Sequence, residues 1–317
     1  MKIVQSFFTD SLINGNSSDI SSIKTLTGIT DKEKNTFYWY VWLTSVMSFV
    51  EKGYEVELVA DENGKRILVD LLGFPYKNVV IETNLPKSKY LWALGKLKAY
   101  SIQNEPFLHF DGDAFYRKQL PEVVSPLFVQ DIIEEKATFT DEYYVTTKDI
   151  IKNFHNVPTQ IIKIAEDYDK KDYIEKVNVG VIGGKDVELL KTYSKTMLNF
   201  VEENLQNIDY FLKNKSPRYI TIFMSCLEES SLLQFYKEKY GDLRSIQTAI
   251  GYIDIRDLQE QKTFMESRSR ETGYTHYMGN GKSNNTEKMI EHRQKLINDA
   301  RKKYPEYCEL FDYHLNK

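Results

Sequence analysis

The sequence predicts an α/β fold, a mixed and mostly parallel sheet flanked by helices. Three observations point there. Through the first third of the chain, short apolar runs alternate with longer helical stretches, which is the order of a parallel sheet wound with crossover helices. The 317 residues supply ample material for a core, and 13% are aromatic, with 22 Tyr and 17 Phe. Beyond residue 113 the strands are separated by longer, more polar stretches, as in a sheet that turns mixed.

Taken in order, Lys2 to Phe8 is a short apolar run and reads as a buried first strand. Asp10 to Thr30, rich in Ser, Asn, Asp and Gly, reads as a long loop. Loops of that length inside a compact domain are often functional. Asp31 to Lys52 is helical in pattern and ends at Gly53, a C-cap residue. Glu55 to Ala60 reads as a second strand. Glu62 to Leu72 reads as a helix stopped by Gly73 and Pro75. Asn78 to Ile81 is a third strand, Tyr90 to Gln103 a helix, and Pro106 to Phe110 a fourth strand. Leu127 to Gln130 and Lys176 to Ile182 read as strands on either side of a helical, polar insertion. Asp186 to Asn204 and Pro217 to Lys239 are helical. Ser245 to Ile253 and Tyr274 to Met278 are strands, and Thr286 to Lys303 is a charged terminal helix.

Composition excludes several classes. The net charge is −4 and the Lys and Glu residues are interspersed, which argues against a nucleic-acid partner. The two cysteines, Cys226 and Cys308, show no CxxC or metal spacing; a reducing, cytoplasmic location is expected and a disulfide framework is not. The opening MKIVQSFFTDS is broken by Gln5 and lacks a small-residue cleavage site, so it does not read as a signal peptide. No window approaches the roughly 18 apolar residues of a spanning helix. The richest, Phe37 to Val50, is interrupted by Thr44, Ser45 and Ser48 and reads as a buried helix.

Four segments carry candidate chemistry. In His109-Phe110-Asp111-Gly112-Asp113 an apolar strand runs straight into two carboxylates. Residues at the carboxyl end of a strand in an α/β sheet face the ligand crevice. Alternate residues share a face, so Asp111 and Asp113 can aim at one point, while Gly112 leaves room for close approach of a ligand. Two hard carboxylates suit Mg²⁺ or Mn²⁺, with phosphate oxygens completing the shell. An Asp-Gly pair also marks ordinary turns; the buried strand in front favours a site. Thr275-His276-Tyr277-Met278-Gly279-Asn280-Gly281-Lys282 offers an imidazole as a third metal ligand, then a glycine loop whose amides, with Lys282, can cradle phosphate. A hairpin-like turn with an exposed lysine is the plainer reading. In Val177-Asn178-Val179-Gly180-Val181-Ile182-Gly183-Gly184, Asn178 can bond sugar hydroxyls; a core strand with a Gly-Gly turn accounts for Val179, Val181 and Gly183-Gly184, which leaves Asn178 and Gly180 as the candidates. In Leu227-Glu228-Glu229-Ser230, adjacent carboxylates interrupt an apolar helical stretch; one can serve as a base, or both can be a solvated face. His109 reads as a strand residue near the site rather than a ligand.

Together these segments resemble the GT-A-fold, Rossmann-like glycosyltransferases: a DxD motif at Asp111 and Asp113, an Asn-x-Gly-Val strand at Asn178 to Val181, and a late loop, His276-x-x-Gly279-x-x-Lys282. That loop is close to the pattern of the glycogenin and lipopolysaccharide galactosyltransferase group, with Ser283-Asn284 where that group has Pro-Trp. The resemblance implies a single catalytic domain over 1–317, with a nucleotide-binding half at 1–115, an acceptor-binding half at 116–285 and a C-terminal helix at 286–317. It implies Mn²⁺ or Mg²⁺ held by Asp111, Asp113 and His276, and a nucleotide-sugar donor, UDP-linked by default. Phe7, Phe8 and Thr9 would contact the nucleotide, Asp61 would sit near the base, and Lys96 would reach the donor phosphates. Glu229 would be the acceptor-side carboxylate, and the acceptor a glycan, a lipid-linked saccharide or a peptide. Two other classes remain in view. Sugar-phosphate nucleotidyltransferases usually carry a glycine-rich basic loop after the first strand, where this chain has Phe8-Thr9-Asp10-Ser11. A non-catalytic carbohydrate-binding protein would not need the intact Asp111, Asp113 and His276 set.

Overall fold

The computed structural model describes residues 1–9, 32–88, 90–136, 140–170, 173–255, 267–277 and 287–316. Seven strands form one sheet: β1 (Lys2–Phe7), β2 (Val56–Ala60), β3 (Asn78–Ile81), β4 (Phe107–Phe110), β6 (Phe128–Lys136), β7 (Tyr173–Gly184) and β8 (Gln247–Ile255). Their order is β3-β2-β1-β4-β7-β6-β8. β1, β2 and β3 pair in parallel, β6 pairs in parallel with β8, and β7 runs antiparallel to β6. β5 (Ala114–Tyr116) and β9 (Tyr274–His276) make a separate antiparallel ribbon. The expected mixed, mostly parallel α/β sheet is the observed one. The strand order reverses between β1 and β4, the kind of switch point beyond whose strand ends α/β proteins bind ligands.

The helices are α1 (Lys32–Val50), α2 (Glu62–Lys65) continuing into a π turn (Arg66–Leu71), α3 (Leu94–Ser101), α4 (Thr140–Asn153), α5 (Thr159–Lys170), α6 (Val187–Leu212) and α7 (Pro217–Ser225). A π turn (Cys226–Ser230) joins α7 to α8 (Ser231–Tyr240), and α9 (267–272), α10 (Glu287–Lys303) and α11 (Pro305–Asn316) follow. None of the described helices is long and apolar enough to cross a membrane.

Several elements differ in extent or number from the sequence expectation, and four of them do so for a clear physical reason. β6 and β7 run well beyond their apolar stretches, pairing from Phe128↔Gly183 to Lys136↔Tyr173. The polar ends, Glu134, Glu135, Glu175 and Lys176, extend a ladder made by backbone groups, which no side-chain pattern announces. α6 continues past Asn204 to Leu212. Asn204 reads as a stop but is buried, and its amide brackets the backbone of one residue, accepting from His155 N at 3.1 Å and donating to His155 O at 2.9 Å. The expected single terminal helix is two, because Pro305 cannot continue α10 but is well placed to begin α11. The long loop read at Asp10 to Thr30 lies outside the described residues.

The chain forms two compact units of non-contiguous segments, one of residues 2–84, 110–120 and 274–317, the other of 85–109 and 121–273 with Met1. In the first unit the part of α1 from Phe37 to Val50 is mostly apolar and mostly buried. Its Phe37, Trp39, Tyr40, Leu43 and Val46 pack with Phe7, Leu58 and Phe311 in one cluster. α1 stops at Val50, two residues before the expected Lys52, and the turn that follows closes at Gly53, whose φ of 81° is left-handed. In the second unit α6 packs on α3, and α5, α6, α8 and the π turn before α8 contact β7.

Gln5 and Ser45, the polar interruptions of two apolar runs, are both fully buried and hydrogen bonded to each other, Gln5 Nε2 to Ser45 Oγ at 2.8 Å. The bond belongs to a longer chain. Trp42 Nε1 donates to Tyr76 Oη (2.7 Å), Tyr76 Oη to Gln5 Oε1 (2.9 Å), and Ser45 Oγ to the Ala114 carbonyl (2.6 Å). Ser45→Ala leaves the Gln5 amide and the Ala114 carbonyl without their buried partner and is expected to cost about 1–3 kcal/mol. Urea unfolding reads this, and an unchanged midpoint would refute the importance of the chain.

Candidate metal centre

β4 delivers the chain into Asp111-Gly112-Asp113, where Ala114 N donates to Asp111 O at 2.9 Å and closes a turn. The segment is therefore the ordinary turn its Asp-Gly pair suggests and also the place where two carboxylates converge. The chain then enters β5, which pairs Ala114 with His276, Phe115 with Thr275 and Tyr116 with Tyr274. Tyr277 N continues the ladder to Asp113 O at 3.0 Å. This register sets His276 beside the turn across more than 160 residues of sequence. His276 Nε2 lies 3.4 Å from Asp113 Oδ1 and 3.8 Å from Asp111 Oδ2.

These three residues form a group of potential metal ligands, one atom from each lying within 4.8 Å of the others. Ligands about 2.1 Å from one Mg²⁺-sized ion lie roughly 3–4 Å apart, so the observed spacing closes on an ion with small side-chain adjustments. The donor set, two carboxylates and an imidazole, suits Mg²⁺ or Mn²⁺. The Asp111, Asp113 and His276 side chains are 17%, 11% and 9% exposed, so all three keep slight access to solvent. The concentrated negative charge is felt nearby: burial, reinforced by Asp113 and Asp111, pushes the Tyr38 phenol well above its ordinary range. Tyr38 thus remains a neutral hydroxyl beside two carboxylates.

α1 holds the turn from below. A Cβ on Gly112 would lie 2.3 Å from Trp42 Cε3 and 2.4 Å from Cδ2, so the space a glycine leaves here is filled by the indole. Trp42 is itself held edge-on by Phe7, with ring centroids 5.0 Å apart. Three turns of one helix therefore contribute Tyr38 beside the carboxylates, Trp42 against Gly112 and Ser45 to Ala114. Sequence reasoning missed all three. The signal available was the unusual density of large aromatic residues in FYWYVW.

The other expected site residues are placed as follows. Phe7 and Phe8 are buried, Phe7 within the core cluster. Thr9 donates to Asp61 Oδ2 through its amide (2.6 Å) and its hydroxyl (2.9 Å). Asp61 Oδ1 accepts from Gly64 N at 2.6 Å, so Asp61 caps α2 and also ties down the end of β1. In the second unit, Lys96 pairs with the buried Glu228 at 3.3 Å. Asn178 Oδ1 accepts from Gly180 N at 3.1 Å within β7. Glu229 is half-buried on the π turn. Its charge adds to burial in pushing the Tyr143 phenol up to about 12, against the opposing Lys176. Gly279 and Lys282 lie outside the described residues.

His109 is fully buried in β4, edge-on to Tyr100 with ring centroids 5.0 Å apart. Burial, reinforced by the Lys96 charge, holds its imidazole pKa well below 6.5. The folded chain therefore keeps His109 neutral at pH values where the unfolded chain takes up a proton. Its contribution to stability is present above about pH 6.5 and declines as the pH falls below that value, by up to about 1.4 kcal/mol per unit. His109→Gln is expected to remove one proton's worth of that slope in urea unfolding measured from pH 7.5 to 5. Equal slopes in the two proteins would contradict it.

A family model described as a family of unknown function matches residues 1–311. Among solved structures, the apo form of mouse xyloside xylosyltransferase 1 is similar over 78% of this chain and 84% of its own, at 9% identity and a TM-score of 0.33. The inositol-1-phosphate CTP transferase from T. maritima is similar over 85% of this chain and 96% of its own, at 12% identity and a TM-score of 0.32. Both are transferases by name. A search of curated proteins gives no match.

Proposed function

The chain belongs to that family, DUF6734, and on the strength of its own residues we propose that it is a metal-dependent glycosyltransferase, moving a sugar from a nucleoside-diphosphate donor to an acceptor hydroxyl. The observation that carries the reading is the convergence of Asp111, Asp113 and His276 at the end of β4. A divalent ion bound there supplies charge neutralisation for a departing diphosphate. Asp111 and Asp113 hold hard oxygen-liganded chemistry at one point, and His276 limits the ion's freedom from a separate strand. In the transfer, the acceptor oxygen bonds to the anomeric carbon, the bond from that carbon to the diphosphate oxygen breaks, and the acceptor proton passes to a base.

In this reading Phe7, Phe8, Thr9 and Asp61 form the nucleotide side, with UDP the default base carrier. Lys96 and the Gly279 to Lys282 loop serve the donor phosphates, Asn178 and Gly180 the sugar, and Glu229 the acceptor. The finer likeness to the glycogenin and lipopolysaccharide galactosyltransferase group rests on the same loop. The test is a screen of nucleotide sugars with Mn²⁺, reading release of the nucleoside diphosphate. Turnover of at least one donor, suppressed by EDTA, is expected. Turnover indifferent to EDTA would refute metal dependence. Pyrophosphate release from a nucleoside triphosphate and a sugar phosphate would instead mark nucleotidyl transfer.

A further inference from the structure

The first unit holds a cavity of about 380 Å³ between the second half of α1, the end of β5 and α10. Its charged lining is unbalanced. Lys52, Arg117, Lys295 and Lys303 stand against Glu51 and Asp299, in a chain whose net charge is −4. Glu51 is already paired with Lys303. Among the described residues neither Arg117 nor Lys295 pairs with a carboxylate, and both side chains belong to exposed residues. Lys52 is fixed by backbone oxygens instead of by an anion, its ammonium donating to Tyr116 O at 2.9 Å and to Ser48 O. Burial lowers its pKa; the Glu51 charge opposes that shift and the Lys303 charge adds to it.

The walls are aromatic: Phe115, Tyr277 and Tyr304 are buried residues that line the cavity. Tyr277 Oη is locked to His292 Nε2 at 2.7 Å, and Arg117 lies over the Phe115 ring, 5.9 Å from its centroid. The volume falls within the range of small-molecule sites, about 300–1,000 Å³, and is too small for a folded partner's surface. Rings that pack on a flat body, beneath cations that hold an oxyanion, make a two-part recognition site. None of the lining residues is a ligand of the Asp111, Asp113 and His276 cluster.

We propose that this cavity binds a small phosphate monoester carried on a ring, with Arg117 and Lys295 holding the phosphate and the Phe115, Tyr277 and Tyr304 walls taking the ring. The site is independent of the metal centre, so occupancy requires no divalent ion. Isothermal titration of the full chain with phenyl phosphate in EDTA tests it. One saturable site is expected, with inorganic phosphate binding more weakly. Affinity should fall at least tenfold in R117Q/K295Q and stay unchanged in D113N. Both changes in the double variant are at exposed positions, and its unaltered thermal unfolding should confirm that it folds. No saturable binding to the wild-type chain, equal binding in R117Q/K295Q, or loss in D113N overturns the proposal. Phosphate binding as tightly as phenyl phosphate overturns the role of the aromatic walls.

Discussion

Asp113→Asn is expected to lower metal-dependent transfer by about 10³-fold and to remove measurable Mn²⁺ binding. Asp113 is the less exposed of the two carboxylates and the one nearer His276, at 3.4 Å. The substitution preserves shape but removes one of two negative charges that a divalent cation requires. Losing several kcal/mol of charge stabilisation in the transition state converts, at about 1.4 kcal/mol per tenfold, into that rate. Mn²⁺ titration calorimetry reads the binding, and donor turnover reads the chemistry. Retention of both in Asp113→Asn would remove the foundation of the proposed function. The folded state should tolerate the change, because the neutral amide also relieves repulsion with Asp111.

Gly112→Ala is expected to cost about 2–3 kcal/mol and to weaken metal binding as well. The added methyl would sit 2.3–2.5 Å from three atoms of the Trp42 ring. That ring has little freedom to retreat. It is held by Phe7 on its edge and by a 2.7 Å hydrogen bond to Tyr76. Overpacking of a buried contact costs about 1–3 kcal/mol, and here the yielding element is the turn that carries both carboxylates. A double-mutant cycle separates packing from any other cause. In a Trp42→Leu background, the same Gly112→Ala change should cost at least about 1 kcal/mol less, since the obstruction is gone. Additive effects in urea unfolding would show that Trp42 is not what the glycine accommodates.

Most of the sheet was legible because its strands are short apolar runs between helical stretches. In β2 all five residues, Val56 to Ala60, are buried, and the run reads as a strand without help from the rest of the chain. Asp111 and Asp113 were legible for the same reason, since a buried strand leads straight to them. His276 was legible only as a residue type in a promising segment; its meeting with the turn depends on the β5–β9 register, which no local pattern encodes. β5 itself, three residues long, is too short to show a period. Gln5 and Ser45 show the limit most clearly. Each weakens the apolar stretch that contains it when the stretch is read alone. They lie 40 residues apart and satisfy one another in the core, so each makes sense only once the other is in place. The Lys96–Glu228 pairing, over a still longer separation, left the same kind of silence.

The hydrogen-bond chain from Trp42 to Ala114 also has a direction, which its first member fixes. An indole nitrogen has a hydrogen and no available lone pair, so it can only donate. Tyr76 must therefore accept from Trp42 and send its own hydrogen to Gln5 Oε1, which leaves the Gln5 NH₂ to serve Ser45 and the Ser45 hydroxyl to serve the Ala114 carbonyl. The four bonds cannot run the other way. Aligned head to tail in a buried, weakly polarisable setting, they reinforce one another and act as a row of dipoles with its positive end at Ala114. That end lies at Ala114, the residue after Asp113, so the turn that carries both carboxylates is tied to the core by an uncharged row of aligned side chains.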